Sequence, residues 1–215
     1  MTDSKASYLQ IVKTTSLFGG VQFFNIIISI IRTKLIAIFI GPAGMGIATL
    51  LNSTINIISG ITGLGIETSA VKHISGGYKN DDLNSVSTNV TIVKKLALFT
   101  GIFGVLLTVF LSSWLSQLTF GNSDHTYSFI FLSVTLLMKQ LSTGELVILQ
   151  GLRKMRFLAK ASFYGNLFGL LFSIPLYYYY RIDAIVPTII VASLSSMVFS
   201  FYYSKKNSNC KKKCV

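Results

Sequence analysis

Acidic residues are scarce in this chain of 215 residues: seven Asp and Glu stand against 19 Lys and Arg, and charged residues of both signs make up only 12%. With so little charge beside 51% hydrophobic residues, a soluble globular domain is excluded and a polytopic membrane protein is indicated. The net charge of +12 does not point to nucleic acid, because the bases cluster in short segments between apolar runs and no basic, aromatic-bearing soluble module is left over. Cysteine is nearly absent. Cys210 and Cys214 sit in the tail CKKKCV with no nearby histidine or second pair to complete a zinc site, and read as free thiols. The two histidines, His73 and His125, fall in opposite loops, and no nucleotide-binding glycine loop with its lysine is present. No enzyme chemistry, metal or cofactor is therefore expected.

What remains is a series of long apolar runs. The reading is an all-α integral membrane protein with a cytoplasmic segment over 1–16, six spans at about 17–40, 47–70, 90–114, 127–150, 157–180 and 185–203, and a basic tail over 204–215. The first apolar stretch is too long for a signal peptide, lacks a small-residue cleavage pattern, and is read as the first span. Gly41 to Gly46 is expected to be a tight turn, Val71 to about Asn89 a polar loop, Leu115 to Thr126 a loop free of bases, and Gly151 to Arg156 a basic turn. Tyr177 to Tyr180 form an interfacial belt after Pro175, and Pro187 falls in the first turn of the last span, where its missing N–H matters little. In the loops and at the span ends fifteen Lys and Arg collect on one side, among them Lys72, Lys94, Lys95, Arg153, Lys154 and Lys205, and only Arg181 on the other. This asymmetry puts both termini in the cytoplasm.

Five ionisable residues fall within the spans: Arg32, Lys34, Glu67, Lys139 and Glu145. Each costs about 2.5 to 3.5 kcal/mol at mid-depth on insertion scales, so most must face protein, water or one another. Gln22, Asn25, Ser29 and Arg32 share one helical face and form a polar stripe. Lys34 lies about 160° from Arg32, so the two cannot both look squarely into one cavity, and Lys34 is near enough to Gly41 to snorkel. In the second span Asn52, Asn56, Ser59 and Gly63 line one narrow face, and two asparagines a turn apart suit sugar hydroxyls as both donors and acceptors. Lys139 sits near the centre of the fourth span and reads as a cavity cation or as the partner of Glu67 or Glu145. Glu145 is about 120° round the helix from Lys139, so its own partner is expected on another span. Asn166 and the serines at 193, 195 and 196 read as packing features.

The order of several signals resembles the polysaccharide flippases, the lipid-linked oligosaccharide translocases of the multidrug/oligosaccharidyl-lipid/polysaccharide exporter superfamily. The residues concerned are Lys34, Leu35, Ile36 and Ala37 running into Gly41, Pro42, Ala43 and Gly44; Leu64, Gly65 and Ile66 before Val71 to Ser75; Leu149 to Arg153 with Leu158 to Ala161; Ser173 to Tyr177; and Ile185 to Pro187. The resemblance implies a six-helix bundle that is one lobe of a two-lobed flippase in a bacterial inner membrane. It also implies rocking motions that alternate access to a cationic cavity receiving the pyrophosphate and sugars of a carrier lipid. It adds weight to Lys34, where the family pattern carries a base. On this reading Arg32, Lys34 and Lys139 offset the pyrophosphate charge, Asn52 and Asn56 hold sugars of an O-antigen or other surface polysaccharide, and Glu67 and Glu145 serve as charge partners or in coupling. The resemblance covers the first half of the family only, so a second six-helix half or a homodimer is an expected partner, with membrane lipids around both. The alternatives are a multidrug or toxin extrusion antiporter, which would want acids in its cavity, and a scaffold or inactive fragment that transports nothing.

Overall fold

The computed structural model describes residues 2–63, 65–79 and 83–212, with side chains from residue 19 to residue 206 apart from 64 and 78–85. Leu64, Asp81, Asp82 and the end of the tail from Lys213, Cys214 included, lie outside the described residues, as does the side chain of Cys210. Every regular element described is helical: α1 (Thr2–Gly63), α2 (Ile66–Lys79), α3 (Leu83–Phe110), α4 (Ser112–Phe120), α5 (Thr126–Gly151), α6 (Met155–Tyr180), a 3-10 turn (Arg181–Ala184) and α7 (Ile185–Lys212).

Helix α1 is two arms joined at a kink. Gly41 has φ 75° and ψ −178°, a region open essentially to glycine alone, and Pro42 follows where the second arm begins and needs no intrahelical N–H partner. The bend is thus a single residue where the sequence suggests a turn from Gly41 to Gly46. The expected loop over 71–89 is also mostly helical: α2 runs to Lys79 and α3 starts at Leu83. Its apolar residues explain this, since Ala70 and Ile74 on one face of α2 bury against Val93 of α3 and Val147 and Ile148 of α5.

Four stretches are long and apolar enough to cross a bilayer, Gly19–Gly63, Val86–Phe110, Thr126–Gly151 and Met155–Lys206, where the sequence reading expects six. The first and last have 45 and 52 residues. At 1.5 Å per residue each is roughly twice the ~30 Å hydrocarbon thickness. Each also contains a break, Gly41 in one and the 3-10 turn Arg181–Ala184 in the other.

Helix α5 is the axis of the bundle. Its most apolar stretch is 61% buried, against 11% in α1 and 28% in α3, and it packs against every other helix. Small residues let neighbours approach. A Cβ on Gly144 of α5 would meet the Ala97 Cβ of α3 at 2.8 Å, and one on Gly165 of α6 would meet the Ser196 Cα of α7 at 3.0 Å. The main apolar core joins Ile40, Leu51 and Ile55 of α1, Leu115 of α4, Phe129, Leu132 and Leu136 of α5, and Ala184 and Ile185, so it fills the end of the bundle where α1 bends and α6 turns into α7. Outward-facing Phe and Ile residues such as Phe23, Ile38, Phe99 and Phe110 are exposed, as lipid-facing positions are.

Candidate functional site

Against that core lies a cavity of about 340 Å³, walled by both arms of α1 and by α5, α6 and α7. Ala48, Ile55 and Tyr177 belong both to the core and to the lining, so the apolar cluster closes one end of the cavity. Two cations line it, Arg32 from the first arm of α1 and Lys139 from mid-α5, and no carboxylate does.

Each cation is held in a different way. The Lys139 Nζ donates to Asn56 Oδ1 at 2.6 Å across the cavity wall, so a neutral amide is its hydrogen-bond partner and not a carboxylate. Arg32 stands opposite Gly169 of α6, where a Cβ would lie only 3.1 Å from its Nη2; the missing side chain makes room for the guanidinium. Its Nε is buried with no hydrogen-bond partner, and the Thr135 hydroxyl, also in the lining, is buried and equally unsatisfied. Buried polar groups are ordinarily paired, so two orphans in one polar cavity mark a place where a ligand or water completes the bonding. Asn52 is in the lining with its Nδ2 donating to Ala48 O at 2.8 Å. Asn166 donates to Asn25 Oδ1 at 3.2 Å, tying α6 to the first arm of α1 beside Arg32.

Of the residues singled out from the sequence, Arg32, Asn52, Asn56 and Lys139 come together here. Lys34 does not: it is exposed, on the side of α1 away from Arg32 that the helical angle assigns it. Glu67 lines a separate pocket of about 20 Å³ with Gly63, Gln140 and Thr143, and Thr143 also lines the main cavity. Glu145 is buried away from the cavity, paired with Lys94 of α3 at 2.9 Å and accepting a hydrogen bond from Ser204 of α7. Its partner is on another helix, as the 120° separation from Lys139 requires.

Other lining residues look in the sequence like packing or belt positions. Asn166, Ser193 and Ser196 reach the cavity, and Tyr177 is buried at 3% exposure while Tyr178, Tyr179 and Tyr180 are 66% to 77% exposed. The signal for Tyr177 was available in the helical period: Asn166, Gly169, Ser173 and Tyr177 recur at three- and four-residue spacing. Among the described residues no group of three His, Cys, Asp or Glu could hold a metal ion.

Comparison with known proteins agrees with a membrane bundle of this kind. A family model described as "Polysaccharide biosynthesis protein" matches residues 11–215. No curated protein and no solved structure matches the chain.

Proposed function

The chain belongs to the polysaccharide biosynthesis protein family, and from that membership we propose that it takes part in moving a lipid-linked oligosaccharide across a bacterial inner membrane. The observation that carries this is the cavity, which holds two cations, an orphaned guanidinium nitrogen, an orphaned hydroxyl and amides, but no carboxylate. A pyrophosphate is excluded from hydrocarbon by its charge, and Arg32 and Lys139 offset that charge while the polyprenyl tail stays among the exposed Phe and Ile side chains in lipid. Arg32 offers a planar fork suited to phosphate oxygens, and Lys139 a point charge that can leave the Asn56 amide for the ligand. Asn52, Asn56 and Asn166 supply donors and acceptors for sugar hydroxyls. Lys34, exposed and close to the Gly41 bend, anchors the helix end among headgroups.

In this reading the two long apolar stretches each cross the membrane twice, turning at Gly41 and at Arg181–Ala184, so that the lobe has six spans with both termini cytoplasmic. The apolar core then seals the outer end of the cavity, and access alternates when that seal opens against a second lobe. An antiporter for cationic drugs is not favoured, because its cavity would need acids. Export of surface glycan in cells that depend on this protein tests the proposal. Lys139→Glu should abolish export while the protein still inserts, and Lys139→Arg should retain part of it. Unchanged export in Lys139→Glu would remove the cavity from the pathway.

A further inference from the structure

A further cleft, of about 180 Å³, lies between α2 and α3, and the transport reading gives it no task. Helices α2 and α3 are joined through residues 80–82 and pack on one another, so they run antiparallel as a hairpin. Buried Ala70 and Val93 form the floor of the cleft, Ile66 and Leu96 one end, and His73 and Asn89 the other. Seven residues of helix, roughly 10 Å, separate the apolar end from the polar one. The cleft opens outward: Ile92 on its wall is 47% exposed and Leu96 38%, and His73 is exposed too.

Its depth matches that of a lipid headgroup and the start of its tail. The apolar stretch Val86–Phe110 has 25 residues, ~37 Å of helix against a ~30 Å hydrocarbon layer, so its first turn, which holds Asn89, reaches the headgroups while Leu96 sits two turns deeper. Polarity along the cleft therefore falls in the direction in which that of a phospholipid falls. Charge at its mouth has one sign. Lys72 and Lys95 are exposed, and each stands two residues, about 160° of helix, from a residue that packs on α5. Those residues are Ile74, whose Cβ a Cβ on Gly151 would meet at 2.7 Å, and Ala97, which a Cβ on Gly144 would meet at 2.8 Å. Both bases thus edge the outward mouth of the cleft, one on each wall. Glu67 lies on the α5 side with Gln140, Glu145 is paired with Lys94, and among the described residues no carboxylate lines the cleft.

We propose that the α2–α3 cleft binds one anionic phospholipid of the surrounding membrane. An acyl chain lies on Ala70 and Val93 and runs out past Ile66 and Leu96 into the bilayer. The phosphate stands at the other end, where Lys72 is next to His73 in sequence, His73 offers a ring N–H, and Lys95 reaches back along its apolar stem. A phosphodiester headgroup without an amine is preferred to a zwitterionic one, because a headgroup ammonium would meet two bases and no acid. The cleft shares no lining residue with the cavity of Arg32 and Lys139, so this inference needs no lipid-linked substrate.

The full chain with Trp114→Phe and Ile92→Trp carries one indole, on the wall of the cleft. In bilayers, phosphatidylglycerol brominated on its acyl chains should quench that indole at about fivefold lower mole fraction than brominated phosphatidylcholine, the effect of one base near a membrane surface. Lys72→Gln with Lys95→Gln should bring the two quenching curves together. Lys205→Gln with Lys206→Gln should leave them apart, although these exposed bases follow Ser204, which shares Glu145 with Lys94 and so sits at the same end of the bundle. Equal quenching by the two lipids before those changes overturns the proposal. A preference that survives the first pair of changes, or that both pairs abolish alike, overturns it too, since the field of the whole bundle end would then suffice. Quenching relieved by polyprenyl phosphate at a lower mole fraction than by unbrominated phosphatidylglycerol gives the cleft to the carrier lipid; quenching by neither brominated lipid gives it to a protein partner. Either outcome overturns the proposal. If the single-indole chain fails to fold, native mass spectrometry of the unaltered chain, loaded from an equimolar mixture of the two lipids, decides. One phosphatidylglycerol should stay bound and be lost in Lys72→Gln with Lys95→Gln, and equal retention of both lipids overturns the proposal.

Discussion

Thr135 and Arg32 bring polar atoms into the interior that no protein group satisfies. An unmet buried donor or acceptor costs about 1 to 3 kcal/mol, and a folded chain keeps one where a ligand later meets it. Thr135→Val conserves shape and removes the orphan hydroxyl. It should raise the thermal stability of the substrate-free protein in detergent by up to that amount and at the same time weaken binding of a polyprenyl diphosphate; a stability loss would show that the hydroxyl is bonded after all. Residue identity and helical angle made part of this legible. Arg32 and Lys34 are two residues apart and therefore on opposed faces, and only Arg32 is in the cavity. Asn166 was not legible, because a polar residue in an apolar helix reads alike whether it bonds a neighbour or lines a cavity; it does both.

Two backbone features control how the elements meet. At Gly41 the chain adopts a conformation that residues with a Cβ avoid, and both arms of α1 contribute to the cavity only because the chain turns there. Gly41→Ala should lower stability by about 1 to 3 kcal/mol, seen as an earlier unfolding transition, and splay the arms. The turn after α5 is the opposite case. Arg153 N–H bonds Gln150 O and Lys154 N–H bonds Leu149 O, a helix-ending motif whose left-handed position is held here by Arg153 at φ 55°. Glycine is the usual residue at such a position, so Arg153→Gly should stabilise the turn by about 1 to 2 kcal/mol in the same unfolding measurement. Glycine and proline marked the bend at Gly41 in the sequence, whereas nothing in the composition of GLRKMR marked Arg153 as left-handed. The helical character of 71–79 was hidden for a related reason: its polar residues suggested a loop, and the apolar Ala70 and Ile74 that hold the helix in place have partners on α3 and α5 that only the fold brings near.

At the scale of the whole molecule the bundle is uneven. Helix α5 is largely buried, while α1 leaves most of its apolar surface exposed. Lipid can cover apolar side chains, but it cannot satisfy Arg32 Nε or balance two cations, so a cavity of this character needs either water or a facing partner. Expression in cells lacking their own flippase, alone and with a second six-helix half, separates the cases. Export from the chain alone, with cross-linking to a dimer, is the outcome expected if two copies face one another. Export only with the added half is the outcome expected of a single lobe. Export from a chain that remains monomeric on cross-linking would refute the need for any facing partner.

Composition and charge order by themselves determined that the chain is an all-helical membrane protein with cations in its apolar runs, because water, lipid and backbone hydrogen bonding leave such a sequence no other class of structure. The resemblance carried by its short motifs reached the family that the comparison then established. Only the tertiary structure decided which cations share a cavity, that Lys139 bonds Asn56 and not a carboxylate, and that Glu145 is clamped between α3 and α7. A sequence states the angle of each side chain on its own helix. How the helices are rotated against one another depends on contacts between residues far apart in the chain, such as Gly169 beside Arg32, and those exist only once the bundle has packed.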